Sequence, residues 1–126
     1  MASLSIIIPH FGGATALEAT LGSVLENRPD TSDILVVLLK PYDDPYEMNG
    51  EDGVRFLDFS EEKNPVAACN RALKEARGDV IHLLCEGSEV EEGWADVACQ
   101  QFMDPEVAAV APRIMDVDRR ERTLTY

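Results

Sequence analysis

Ser5-Ile6-Ile7-Ile8-Pro9 and, a helix length later, Ile34-Leu35-Val36-Val37-Leu38-Leu39 are the two runs whose reading decides the fold. The first is β-branched and stops at a proline, as a short buried strand does. The second is six apolar residues without alternation, which suits a strand covered on both faces of a parallel sheet.

Working outward, Gly12-Gly13 supplies a turn after the first strand, and Thr15 and Glu18 stand three apart as in a capping box. Leu17, Leu21, Val24 and Leu25 then fall on one helical face, and Asn27-Arg28-Pro29-Asp30 stops that helix. Residues 41–53 carry prolines, glycines and carboxylates and predict a solvated loop free to move. Val54 to Phe59 reads as a third strand. Asn64-Pro65 is a cap and first-turn pair for an alanine-rich helix over 66–77, closed by Gly78. Asp79 to Cys85 gives a fourth strand, and Trp94, Val97, Ala98 and Phe102 mark a further helix face ended by Asp104-Pro105. Val107 to Ala111 is a last apolar run.

Strands alternating with helices predict βαβ units. The expected class is α/β, three-layer, a mostly parallel sheet with helices on both faces. Residues 1–126 form one domain, with an ordered core over 4–114 and a charged tail over 115–126 that frays.

Apolar residues at 45 % and charged residues at 28 % exclude a disordered chain and a membrane protein. The net charge of −13 repels phosphate backbones and anionic lipids, which argues against a nucleic-acid binder or a peripheral membrane protein. No run approaches the ~20 apolar residues of a membrane span. Residues 1–13 lack the basic start and apolar stretch of a signal peptide. Cys69, Cys85 and Cys99 are odd in number and none sits in a Cys-x-x-Cys spacing, so reduced thiols in the cytoplasm are expected.

In open α/β sheets ligands sit at the carboxyl ends of the strands. Here that means Pro9 to Gly13, Leu39 to Asp44, Ser60 to Asn64 and Cys85 to Glu89. Gly12-Gly13 could turn backbone N–H groups toward a phosphate, but it lacks the G-x-G-x-x-G spacing and the P-loop lysine, so an ordinary turn is expected. His10 could touch a base or shuttle a proton, yet a lone histidine without a partner at ligand spacing is more often incidental. His82 lies inside the fourth strand and is expected in the core. Asp43, Asp44, Glu47, Glu51 and Asp52 in the long loop, and Glu86, Glu89, Glu91 and Glu92 after the fourth strand, could hold a hard cation, although exposed acidic loops are common at this charge. Cys85 has acidic neighbours that disfavour a thiolate, so it is read as inert.

Ser5-Ile-Ile-Ile-Pro9 with its following loop and helix resembles the opening of the family-2 glycosyltransferases of the GT-A fold. Asp33-Ile-Leu-Val-Val37 is similar to that family's second strand. Ala68-Cys69-Asn70-Arg71-Ala72 and Ala76-Arg77-Gly78-Asp79 resemble its signature helix and the turn after it. Phe102-Met-Asp-Pro-Glu-Val107 and the Val-Ala-Pro that follows fit the segment beyond its metal motif, so the resemblance runs from about 5 to 114.

The resemblance implies transfer of a sugar from a nucleotide-diphospho-sugar, with Mn²⁺ or Mg²⁺ on the diphosphate as a Lewis acid. Pro9, His10 and Phe11 in the first loop and Asn70 and Arg71 in the signature helix are the positions it would assign to nucleotide binding. The family's acidic position after strand two falls at Leu38-Leu39, and its Asp-x-Asp falls at Cys85-Glu86-Gly87. Glu86 is the remaining metal candidate, placed between the two lost aspartates, where neighbours on an extended segment face opposite sides. The chain also stops at Tyr126, before the region where the family places its catalytic base.

These features imply a glycosyltransferase-like domain with impaired or lost activity in this form and no assignable catalytic residue. The alternative is a non-catalytic binding or self-association module on the same scaffold, with a homodimer covering open sheet edges. A third reading is an unrelated small α/β enzyme built on His10 and the acidic loop.

Overall fold

The computed structural model describes residues 3–116 and 119–124. Strand β1 (Leu4–His10) leads into helix α1 (Ala14–Glu26), and β2 (Ser32–Leu38) and β3 (Val54–Asp58) follow, joined by a long loop. Helix α2 (Pro65–Leu73), strand β4 (Val80–Leu83) and helix α3 (Trp94–Gln101) come next, and β5 (Ile114–Asp116) and β6 (Arg119–Leu124) close the order. The first four strands form one parallel sheet in the order β3-β2-β1-β4.

Period-two alternation explains why the two deciding runs read as uninterrupted apolar sequence. Ile6, Ile8, Ile34, Val36 and Leu38 point to one face, where they pack with Leu17, Leu21 and Val24 of α1 and with Ala95 and Cys99 of α3. Ile7, Leu35 and Val37 point to the other, against Ala68 and Ala72 of α2. Both faces of β1 and β2 are therefore dry, and the α/β class with helices on both faces holds.

Several local expectations change. Helix α1 is preceded by Gly13 and has no side-chain cap, so Thr15 and Glu18 form no capping box. Glu18 accepts instead from the Tyr42 hydroxyl at 2.8 Å. Helix α2 has the expected cap, with the Asn64 side chain accepting from Val66 and Ala67 N–H and Pro65 in the first turn, but it ends at Leu73 rather than Arg77.

The 39–53 loop is solvated yet well anchored. Asp44 accepts from Met48 and Asn49 N–H at 2.8 and 3.0 Å, Asn49 accepts from Phe56 N–H at 3.0 Å, and Arg28 donates to the Asp52 carbonyl. Tyr42 and Met48 pack on the α1 face of the core. Where a fraying charged tail was expected, the backbones of β5 and β6 pair antiparallel, with Ile114 opposite Leu124.

His82 is half-buried on edge strand β4, edge-on to Trp94 with ring centroids 5.0 Å apart. The expected core position is thus only partly realised, because among the described residues β4 is the edge strand of this sheet. Among the described residues no helix is long and apolar enough to cross a membrane.

Candidate functional site

The strand order reverses between β1 and β4, since β2 lies on one side of β1 and the chain returns through α2 to place β4 on the other. Crevices at such reversals are where open α/β sheets bind ligands. Leu4 pairs with Val80 and Ile7 with Leu83, and continuing that register by three residues sets His10 opposite Glu86.

The two side chains meet there. Glu86 Oε2 lies 2.7 Å from His10 Nδ1, with the side chains 3 % and 2 % exposed. The other oxygen, Oε1, accepts from Phe11 N–H at 2.9 Å and from Gly12 N–H. Three donors from three successive residues therefore converge on one buried carboxylate. A Cβ at Gly12 would stand 2.7 Å from Oε1, so the glycine is what lets the oxygen come this close.

The segment carrying Glu86 is fixed from below by polar groups of α1. Gly87, at φ +93°, turns the chain off β4, and its N–H donates to Thr20 Oγ1 at 2.7 Å. Val90 N–H donates to Ser23 Oγ at 3.1 Å, and Asn27 Nδ2 donates to the Val90 carbonyl at 3.1 Å. The Trp94 indole in turn donates to the Asn27 carbonyl at 3.2 Å. Thr20 and Ser23, polar yet buried on the core side of α1, owe their positions to this seam.

Beside the pair lies a groove of about 260 Å³ lined by His10, Gly12, Ala14, Lys40, Pro41, Tyr42, Asp43 and Pro45. Leu39 N–H donates to the His10 carbonyl at 3.0 Å, tying the loop after β2 to the end of β1 and closing the floor. Tyr42 stands edge-on to His10 at 5.5 Å and forms one wall. Burial, and then the hydrogen-bonded Glu18 carboxylate, push its phenol above the ordinary value, so it stays a protonated donor.

Of the residues singled out from sequence, His10, Phe11 and Glu86 come together, and Pro9 precedes them on β1. His10 is no incidental surface histidine: it is 1 % exposed and paired. Phe11 contributes its backbone, while its side chain is 64 % exposed. Asn70 and Arg71 lie apart from this crevice. Asn70 is exposed on α2, and Arg71 stacks 4.6 Å over the Phe59 ring and approaches Glu62 at 3.8 Å. Lys40 and Tyr42 carried no local motif; only their place just after β2 pointed to them.

Cys85 is exposed, while burial raises the Cys69 and Cys99 thiols above their ordinary value; all three are free. Among the described residues, no three His, Cys, Asp or Glu side chains converge as a metal site. The residues at the expected metal position also do not fit Mn²⁺ or Mg²⁺. Cys85 is a soft ligand, Gly87 has no side chain, and both oxygens of Glu86 are already engaged.

A family model described as glycosyl transferase family 2 matches residues 5–125. The human polypeptide N-acetylgalactosaminyltransferase 12 is 32 % identical over 123 residues, covering 90 % of this chain, and the mouse protein of that name is 30 % identical. The chain spans about a fifth, 21 %, of the length of these relatives. A mannosyltransferase of Pyrobaculum calidifontis, solved in complex with GDP-Man and Mn²⁺, superimposes with TM-score 0.73 at 20 % identity, over 84 % of this chain and 34 % of that one. TarS residues 1–349 of S. aureus superimposes with TM-score 0.65 at 16 % identity, over 94 % of this chain and 43 % of that one. At these identities the two structures establish a shared fold.

Proposed function

The chain belongs to glycosyl transferase family 2, and from that premise we propose that it is a donor-recognition domain taking the nucleotide of a nucleotide-diphospho-sugar in the groove beside His10. The observation that carries this reading is the groove's position. It opens at the carboxyl edge of the sheet, next to the β1–β4 reversal, and is walled by the loops that follow β1 and β2.

Each wall has a role in that reading. Tyr42, held by Glu18, offers a fixed aromatic surface, and Asp43 offers an acceptor for ribose or base hydrogen-bond donors. Lys40 lines the groove and supplies a cation there, in a chain of net charge −13. His10 lines the groove, with Pro9 and Phe11 beside it along the chain, and Arg71 with Asn70 lies apart, Arg71 stacking on Phe59 just after β3. A bound divalent cation would neutralise the diphosphate and act as a Lewis acid, but the residues at its expected position do not supply a site for it. Sugar transfer by this chain alone is therefore expected to be impaired or lost, with binding metal-independent and weak.

Calorimetric titration of UDP, GDP and their sugars into the full chain, each with and without Mn²⁺, tests this. Saturable binding unaltered by Mn²⁺ and weakened at least about tenfold by Lys40→Ala is expected. No saturation by any nucleotide would overturn it. A second reading, a binding module without catalysis, draws on Glu86: its carboxylate fills the place beside the groove where a diphosphate would need donors.

A further inference from the structure

We propose that Glu86 is the internal occupant of an oxyanion site built by the β1–α1 turn, and that it holds this site closed to external phosphate or carboxylate. The site's chemistry stands on its own, and only the identity of the natural displaced group, a donor diphosphate, rests on the reading above.

The donors are arranged as for an anion. Phe11 and Gly12 N–H, consecutive along the backbone, both donate to Oε1, as successive amides do when they hold an anion. His10 Nδ1 holds the second oxygen, so both ends of a planar two-oxygen group are met. Gly12 removes the side chain that would block close approach.

The occupant is unusual for a carboxylate. Glu86 is 3 % exposed, and its ionic contact among the described residues is the imidazole of His10, with no lysine or arginine within range. Burying a carboxylate is costly unless its oxygens are fully hydrogen-bonded, so the turn must supply what a counter-ion otherwise would. Two of these donor residues, His10 and Gly12, also line the groove. A phosphate entering along the groove meets these donors already taken, with a negative charge in their centre. Rotation of the Glu86 side chain away from the turn would free all three at once.

The test is chemical rescue of the full chain. Glu86→Ala leaves the three donors without a partner and is expected to melt about 5–10 °C below wild type in chloride. Acetate at the same ionic strength should recover at least about half of that loss, as a ligand of the vacated site stabilises by mass action. Wild type and Glu86→Gln, whose side chains still fill the space, should respond little. Equal responses of all three to acetate, or none by Glu86→Ala, would overturn the proposal. If Glu86→Ala does not fold in chloride, recovery of its circular-dichroism spectrum in acetate supports the site, and failure in both salts refutes it. Inorganic pyrophosphate should then bind Glu86→Ala at least about tenfold more tightly than wild type, and equal binding refutes the closure. Uridine and guanosine, which lack phosphate, report on the groove of the wild type, so the groove and the turn can fail separately.

Discussion

Near each end of β1 a carboxylate gathers donors from more than one segment, Asp33 at the amino end and Glu86 at the carboxyl end, and the two differ in what they are tied to. At the amino end, Asp33 accepts from Ser5 Oγ and Arg77 N–H, both at 3.0 Å, and faces Arg55 Nη2 at 3.3 Å. At the carboxyl end, Glu86 accepts from two backbone amides and an imidazole. Arg55 is a permanent cation, so the amino end is neutralised within the fold and offers little to a ligand. The donors around Glu86 are part of the turn itself and remain if the carboxylate leaves. The larger cavity, about 480 Å³, lies at the amino end beside Arg28, Asp33, Asp52 and Arg77. The proposed site therefore rests on the chemistry of the donors at the strand ends and not on cavity volume.

Substitutions at the amino end should cost stability and nothing else. The largest effect is expected at Gly78, whose N–H donates to Ser5 Oγ at 2.7 Å. A Cβ there would lie 2.7 Å from the Leu4 carbonyl carbon, which is strand backbone that cannot yield without disturbing the β1–β4 register. Gly78→Ala should cost about 3 kcal/mol in denaturant unfolding. Asp33→Ala should follow at about 2–3 kcal/mol, because it leaves Ser5 Oγ and Arg77 N–H without their acceptor and removes the carboxylate facing Arg55. Acetate should not repair it, since the flanking arginine can turn to the Glu75 carbonyl it already holds at 2.6 Å. Repair of Asp33→Ala by acetate to the same extent as Glu86→Ala would erase the distinction between the two ends.

Asn64→Ala provides a smaller cut that touches neither carboxylate. It removes the side chain that accepts from Val66 and Ala67 N–H, and should cost about 1 kcal/mol. Because α2 packs on the opposite sheet face from α1, nucleotide and acetate responses should be unchanged. A loss of nucleotide binding in this variant would extend the site to the β3 end, where Arg71 stacks on Phe59.

Much of this scaffold was legible in the sequence, and the reason is local. Ile6 to Ile8 and Ile34 to Leu38 are buried on both faces, so burial wrote itself into consecutive residues. Asn64-Pro65 is a cap whose chemistry is complete within four residues. Glu18 has the spacing of a capping partner, but its partner in the structure, Tyr42, lies on a loop 24 positions away. The His10–Glu86 pair spans 76 positions and carries no spacing signal. It could be found only after the strand order placed β4 beside β1, at which point register alone sets the two residues opposite each other. The family resemblance casts Glu86 as a stranded metal ligand, whereas in the structure it is the acceptor of the first loop.

The smallest expected effect concerns His82, on the edge strand β4 that leads into the segment carrying Glu86. Burial against Trp94 lowers its pKa from the ordinary 6.5. Above 6.5 the ring is neutral in folded and unfolded chains alike. As the pH falls below that value the unfolded chain takes up a proton that the folded one resists, so stability declines until the lowered folded pKa is passed. Unfolding measured from pH 7.5 to 5 should therefore show a stability loss that His82→Phe reduces, since phenylalanine keeps the edge-on contact with Trp94 and cannot titrate. The same variant should leave the acetate response of Glu86→Ala intact, because His82 faces α3 and lies three strand positions before Cys85. A change in that response would mean that β4 transmits its edge packing to the Glu86 turn, and the carboxyl end would then be a single mechanical unit from Trp94 to His10.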